Sequence, residues 1–164
     1  MTQKDNLRNV LLGGLFAVSL GGFLLHLRIH QPSANAANYI PFIAGLVSAF
    51  VLPLMFIFRS TIAYAYVLNG MFVIFGTITM AHFSIAHRPP ALTFGALMLN
   101  TTLADIALAW GKFFIGKALF DLARMQSPDA AYSGKFLRYP NMGFWLSHLA
   151  GLSIVYGLGH LLWR

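Results

Sequence analysis

Five apolar blocks, each about as long as a helix must be to cross a bilayer, constrain this 164-residue chain more than any other feature. They run Val10–Leu27, Tyr39–Phe58, Thr61–Phe83, Ala91–Trp110 and Gly143–Trp163. A hydrocarbon core of about 30 Å needs roughly 20 apolar residues in helical form. Only helices and closed barrels satisfy their own backbone groups in lipid, and continuous apolar runs of this length specify helices. Hydrophobic residues make up 58% of the chain and charged residues 9%, where soluble domains average about 25% charged. The expected fold is therefore all-α: a polytopic integral membrane bundle of five transmembrane helices forming a single domain over residues 1–164.

Local signals refine this outline. Only Arg59 and Ser60 separate the second block from the third, which predicts a tight antiparallel hairpin. Pro53 lies near the end of the second block, where its missing N–H and its ring should kink the helix. In the first block, Gly13, Ala17 and Gly21 recur at four-residue spacing. Such a stripe lets another backbone approach closely.

Charge sets the expected orientation, since loops rich in Lys and Arg stay in the cytoplasm. One side of a five-span arrangement holds Lys4, Arg8, Arg59, Lys112, Lys117, Arg124, Lys135 and Arg138, and the other holds Arg28, Arg88 and Arg164. Eight against three places the N-terminus in the cytoplasm, with a bacterial inner (cytoplasmic) membrane as the expected location. The net charge of +7 then reflects topology and attraction to anionic lipid. Positive residues spread over helix ends argue against nucleic-acid binding. Lys4 and Arg8, the first apolar run and Ala34-Asn35-Ala36 also resemble a cleavable signal peptide. The length of the run and the Arg28 that follows it favour a retained anchor.

Two polar connections remain, Arg28 to Asn38 outside and Asp121 to Met142 inside. The cytoplasmic loop, about 111–142, opens with GKFFIGKALFDLARM, in which Lys112 and Lys117 alternate with Phe113, Phe114 and Phe120. That pattern suits an amphipathic extension of the fourth helix lying at the interface, with its lysines snorkelling. It also suits docking to a cytoplasmic partner.

Asp105 is one of only four acidic residues and the only one inside a span. An ionisable group in hydrocarbon costs about 2.5–3.5 kcal/mol or more, so it must face protein, find a partner or serve a pathway. Lying seven residues before Lys112, it should sit about 10 Å inside the cytoplasmic interface. Tyr64, Tyr66 and Asn69 on the third helix and His148 on the fifth have similar expected depths. Asp105, His148, Asn69 and Tyr66 are thus a candidate proton-handling or polar core, with His148 as the expected partner of Asp105. The plainer reading of the pair is a hydrogen-bonded contact that sets helix register.

A second layer is expected at the outer face, where His26, His82 and His160 end three helices and His30 and His87 follow in the loops. Two imidazoles at one depth on facing helices are what a b-type haem needs, and three can hold copper or zinc. Arg28 and Arg88 are placed to meet haem propionates. Gly22, four residues before His26, leaves room for a flat ring. With no cysteine present, disulfides, thiolate nucleophiles, iron–sulfur clusters and covalently attached haem are excluded. No Gly-rich phosphate loop, HExxH, GxSxG or paired carboxylates occur.

The leading functional expectation is a small multi-pass subunit of a respiratory or electron-transfer complex, binding b-haem, contacting quinone and lacking catalysis of its own. It would associate with other membrane or cytoplasmic subunits, or with copies of itself, in the lipid bilayer. Two further classes remain open. One is a small proton-coupled transporter or channel using the Asp105/His148 pair, and the other is a membrane enzyme with a His-bound metal.

Overall fold

The computed structural model describes residues 3–28, 39–86, 93–126 and 140–162. Among these, all regular structure is helical. Helix α1 spans Gln3–Leu27. Helix α2 (Tyr39–Leu46) passes through a π-turn at Val47–Val51 into α3 (Leu52–Ile57). Helix α4 covers Ile62–Ala86, α5 covers Phe94–Asn100, α6 covers Leu103–Gln126 and α7 covers Met142–Leu162. Four helical stretches are long and apolar enough to cross a membrane: α1, the continuous Tyr39–Ile57 stretch, α4 and α7. The chain is an all-α, multi-pass membrane protein.

Contacts at the two ends of the bundle give its topology. At the near end, where α1 begins, Arg8 Nη2 donates to the Ile57 carbonyl at 2.5 Å and the Tyr66 hydroxyl donates to the Pro140 carbonyl at 2.6 Å. Phe120 of α6 stacks on Tyr66 with ring centroids 4.5 Å apart. At the far end, Arg28 Nη2 donates to the Thr101 carbonyl at 3.0 Å, and Ser84 on α4 meets Thr102 just before α6. The start of α1, the end of α3, the starts of α4 and α7 and the end of α6 therefore share one end. The two ends are joined by α1, α2–α3, α4, α6 and α7.

The fourth predicted span, Ala91–Trp110, is not one helix. Thr93 caps α5 by accepting from the Ala96 amide at 3.2 Å. The helix stops at Thr101, whose backbone is extended. Hydroxyls explain the break: Thr101 Oγ1 donates back to the Leu97 carbonyl, Thr102 Oγ1 donates across to the Met80 carbonyl, and the Thr102 amide donates to Ser84 Oγ at 3.0 Å. Thr side chains compete in this way with the helical ladder. A new helix starts at Leu103 and continues for 24 residues, about 36 Å. It runs far beyond Lys112, where hydropathy placed its membrane boundary.

Helix α6 is consequently a central element and not a surface-lying extension. It packs along both α1 and α4, and it buries Asp105, Lys112, Phe113, Gly116, Leu119, Phe120 and Leu122. Remaining residues of the predicted cytoplasmic loop, 127–139, lie outside the described residues.

Pro53 is accommodated differently from the expected simple kink. It sits buried in the first turn of α3, directly after the π-turn. A proline ring clashes with the carbonyl four residues back, here Ala49. The wider π-turn contains Ala49 and draws that carbonyl aside. At the hairpin that follows, Phe58 is extended and Thr61 Oγ1 donates to the Met55 carbonyl at 2.6 Å.

An aromatic core closes the near half of the bundle. Tyr66 lies between Phe120 and Phe113 and meets the edge of Trp145 with centroids 6.2 Å apart. Trp145 Nε1 donates to the Tyr66 hydroxyl at 3.1 Å. Gly70 makes room for this indole, since a Cβ there would collide with its six-membered ring. Gly116 does the same for Asn69 and Phe56, because a Cβ there would lie 2.7 Å from Asn69 Nδ2 and 2.8 Å from Phe56 Cζ. On α1, by contrast, the stripe Gly13, Ala17 and Gly21 faces outward, and nothing stands within 4 Å of a Cβ at Gly13 or Gly21. The close approach of α1 to α6 runs through Gly14 and Gly22 instead.

Candidate functional site

Two groups of polar side chains divide the bundle, and they are not the two layers expected. The predicted inner layer separates. Asn69 and Tyr66 are buried on α4 near the near end. Asn69 Nδ2 donates to the Lys112 carbonyl at 3.4 Å. Asp105 is also buried, at 5% exposure, but it occupies the first turn of α6 at the far end. It stands seven residues before Lys112 and fifteen before Phe120, the ring that covers Tyr66. Those offsets are about 10 and 22 Å along the helix. The depth reading erred because it took Lys112 as the mark of the membrane boundary.

His148 does not join the interior either. It is exposed on α7, its Nδ1 hydrogen-bonded to the Phe144 carbonyl of its own helix at 2.8 Å. Its ring stacks on Phe144 with centroids 3.8 Å apart. That leaves the Asp105/His148 pair of the transporter reading without a shared site.

Lys112 is the residue whose role hydropathy most misjudged. Its side chain is buried, and Nζ donates to both the carbonyl and the hydroxyl of Ser48, the latter at 2.5 Å. Ser48 belongs to the π-turn. The irregular turn thus turns acceptors toward a cation that would otherwise be stranded, as buried charges require. A serine five residues before a proline, Ser48 and Pro53, is the only sequence signal of this contact.

At the far end, His82 and His160 come together. Their ring centroids are 6.0 Å apart with planes at 80°. Tyr156, one turn before His160 on α7, is hydrogen-bonded through its hydroxyl to His82 Nδ1. Tyr156 and His160 rings are nearly parallel, 6.4 Å apart. Both histidines are exposed at the edge between α4 and α7. Tyr156 was not among the residues expected here, although its position four before His160 puts both on one helix face.

His26 also lies at the far end but in a different place. It is half-buried, its Nε2 donating to the Pro41 carbonyl at 3.1 Å. Its ring rests against α2, where a Cβ on Gly45 would come within 3.1 Å of His26 Cδ2. The room made by a glycine therefore comes from Gly45 for this ring, while Gly22 faces Leu108. Arg28 is engaged by the Thr101 carbonyl. Arg88, His30 and His87 lie outside the described residues.

Among the described residues there is no group of three or more His, Cys, Asp or Glu side chains arranged to hold a metal ion. The three-histidine copper or zinc arrangement is therefore not assembled there, because His26 turns toward α2 while His82 and His160 meet at α7. What remains is a two-histidine, one-tyrosine cluster. It can ligate a cofactor through two imidazoles, with the phenol as hydrogen-bond partner to one of them.

No protein-family model matches the chain, and neither any curated protein nor any solved structure matches it.

Proposed function

We propose that this protein is a small multi-pass membrane subunit of a respiratory or other electron-transfer complex, holding a b-type haem between His82 and His160. In this reading it resides in a bacterial cytoplasmic membrane with its N-terminus inside, and the haem exchanges electrons with quinone near the far end. The observation that carries the reading is the 6.0 Å separation of the two rings on parallel helices. Imidazole nitrogens bind a metal at about 2 Å, which puts the centroids of an axial pair about 6 Å apart. The 80° between the planes suits such a pair, since each ring turns freely about its own metal–nitrogen bond.

The hydrogen bond between His82 Nδ1 and the Tyr156 hydroxyl adds to this. A ligating histidine characteristically donates its second ring N–H to a fixed partner. With His82 Nδ1 bonded to the tyrosine, Nε2 is the nitrogen left for the iron. The subunit assignment draws on α7, where Trp145 is the only buried residue of 21. His148, Tyr156 and His160 all stand on its uncovered surface. Ionisable groups facing lipid are costly, so a cofactor and a neighbouring subunit would relieve the exposure together.

A reduced-minus-oxidised absorption spectrum of the protein purified from haem-replete cells tests the proposal. A b-type band is expected, lost in both His82→Ala and His160→Ala and retained in His148→Ala. Absence of the band from the unsubstituted protein would reject the haem.

A further inference from the structure

The far end holds a second site, away from the exposed histidines. Three contacts set the antiparallel register of α1 and α6. A Cβ on Gly14 would lie 3.9 Å from Ile115 Cδ1, and one on Gly22 would lie 3.8 Å from Leu108 Cβ. Arg28 Nη2 donates to the Thr101 carbonyl at 3.0 Å. From contact to contact, α6 steps back about as many residues as α1 steps forward. His26 on α1 therefore falls level with Ala104 and Asp105 on α6.

The faces agree with the levels. On α1, Leu15, Ser19 and His26 recur at four- and seven-residue spacing, which puts them on one side of the helix. That side is the one looking toward α2, since His26 bonds Pro41 and packs on Gly45. On α6, Asp105 and Lys112 are seven apart and share a face, and Lys112 reaches the π-turn after α2. His26 and Asp105 thus enter one seam, enclosed by α1, α6 and the α2–α3 helix, from opposite walls and at one depth.

The chemistry of the seam suits a shared proton. His26 Nε2 carries the hydrogen donated to Pro41, so Nδ1 is the ring nitrogen available to a carboxyl group. We propose that Asp105 and His26 form a carboxylate–imidazole dyad holding one exchangeable proton inside the bundle. In one state the proton is on the Asp105 carboxyl and the imidazole is neutral. In the other, the carboxyl O–H bond has broken as the Nδ1–H bond forms, giving imidazolium beside carboxylate with no change in total charge. A proton taken up or released in exchange with the surroundings then changes the charge of the dyad by one.

Among the described residues, the other titratable groups around the seam are held elsewhere. Arg28, in the turn just after α1, is bound to Thr101, and Lys112, two turns along α6, is bound to Ser48. The α2–α3 helix contributes only Tyr39, which is exposed at its start. His82 on α4 is turned to Tyr156, and α5 carries no titratable side chain. Ser19, level with Gly111, buries a hydroxyl that has no hydrogen-bond partner among the described residues. It continues the polar line from the dyad toward Lys112.

Two independent measurements on the full chain in lipid nanodiscs test the dyad. With 15N-labelled histidine, the His26 signal is assigned by its loss in His26→Gln. In Asp105→Asn its titration midpoint should move by about one pH unit or more, while those of His82, His148 and His160 stay in place. An unchanged His26 titration overturns the proposal. The infrared carboxyl band lost in Asp105→Asn should shift in His26→Gln, and a band indifferent to that substitution overturns it equally. One variant is read through histidine and the other through the carboxyl, so poor folding of either leaves the other decisive.

Discussion

Helices α6 and α7 invert the usual relation between hydropathy and burial. Asp105, Lys112, Lys117, Asp121 and Arg124 all belong to α6, which falls outside the set of helices apolar enough to cross a membrane by composition. Yet it occupies the middle of the bundle against α1 and α4. Helix α7 is apolar enough to span, and it lies at the edge with one buried residue. In lipid an apolar surface needs no cover, whereas a charge does. The helix that can least tolerate hydrocarbon is thus the one the others enclose.

The largest effect expected from breaking this contrast is at Gly70, the seat of the one buried residue of α7. Gly70→Val should drive the Trp145 indole out of its socket and cost about 3 kcal/mol, the upper part of the range for overpacking. Thermal unfolding in detergent, followed by tryptophan fluorescence, should show it. The same change at Gly151, where nothing lies within 4 Å of a Cβ, should leave the midpoint nearly unmoved. Equal losses at the two glycines would mean that α7 is held over its whole length.

Trp145→Phe asks how much of the attachment is polar. It keeps an aromatic ring but removes the N–H donated to Tyr66, which is buried. A loss of about 1–2 kcal/mol is expected from the missing bond and the smaller ring. Tyr66→Phe, which leaves the indole N–H and the Pro140 carbonyl without this partner, should cost a similar amount. If the two losses are coupled in the double variant, the pair acts as one latch.

On the α6 side, Ser48→Ala removes one of the two acceptors of Lys112 and leaves the carbonyl. The expected loss is about 1 kcal/mol, the ordinary worth of a hydrogen bond to a charged group that retains another partner. Ser48→Val at the π-turn, or Lys112→Met with its matched length, separates the role of the cation from that of the turn. Lys112→Met should fold, since apolar replacement of a buried ion is commonly tolerated.

These contrasts also mark what could be read from the chain beforehand. Four of the five apolar blocks, the hairpin at Arg59-Ser60 and the placement of His26, His82 and His160 toward one end follow from composition and order, and each is present. The break at Thr101-Thr102 escaped because Thr is apolar enough to sit inside a hydropathy window, and its effect depends on Met80 and Ser84 from another helix. Lys112 was placed at an interface because an isolated lysine is costly in lipid. Its cover comes from Ser48, 64 residues away. Asp105 acquired the wrong neighbours as a direct consequence, since its depth was measured from Lys112. Gly70 and Trp145 carry no mark of their pairing until α4 and α7 are set side by side.

The smallest expected effect lies at the near end of α6, where charge returns to water. Lys117 and Asp121 form an ion pair one helical turn apart, each partly exposed. Arg124 lies over the Phe120 ring, 5.8 Å from its centroid. A pair at this spacing on an accessible surface stabilises by about 0.3–0.5 kcal/mol and weakens with salt. Asp121→Asn should therefore change the unfolding midpoint little, and any change should vanish at high ionic strength. The buried contact of Lys112, screened far less, should keep its contribution at the same ionic strength. A Ser48→Ala effect that faded with salt as the Asp121→Asn effect does would place both lysines in contact with solvent, and the contrast between the enclosed and open stretches of α6 would fail.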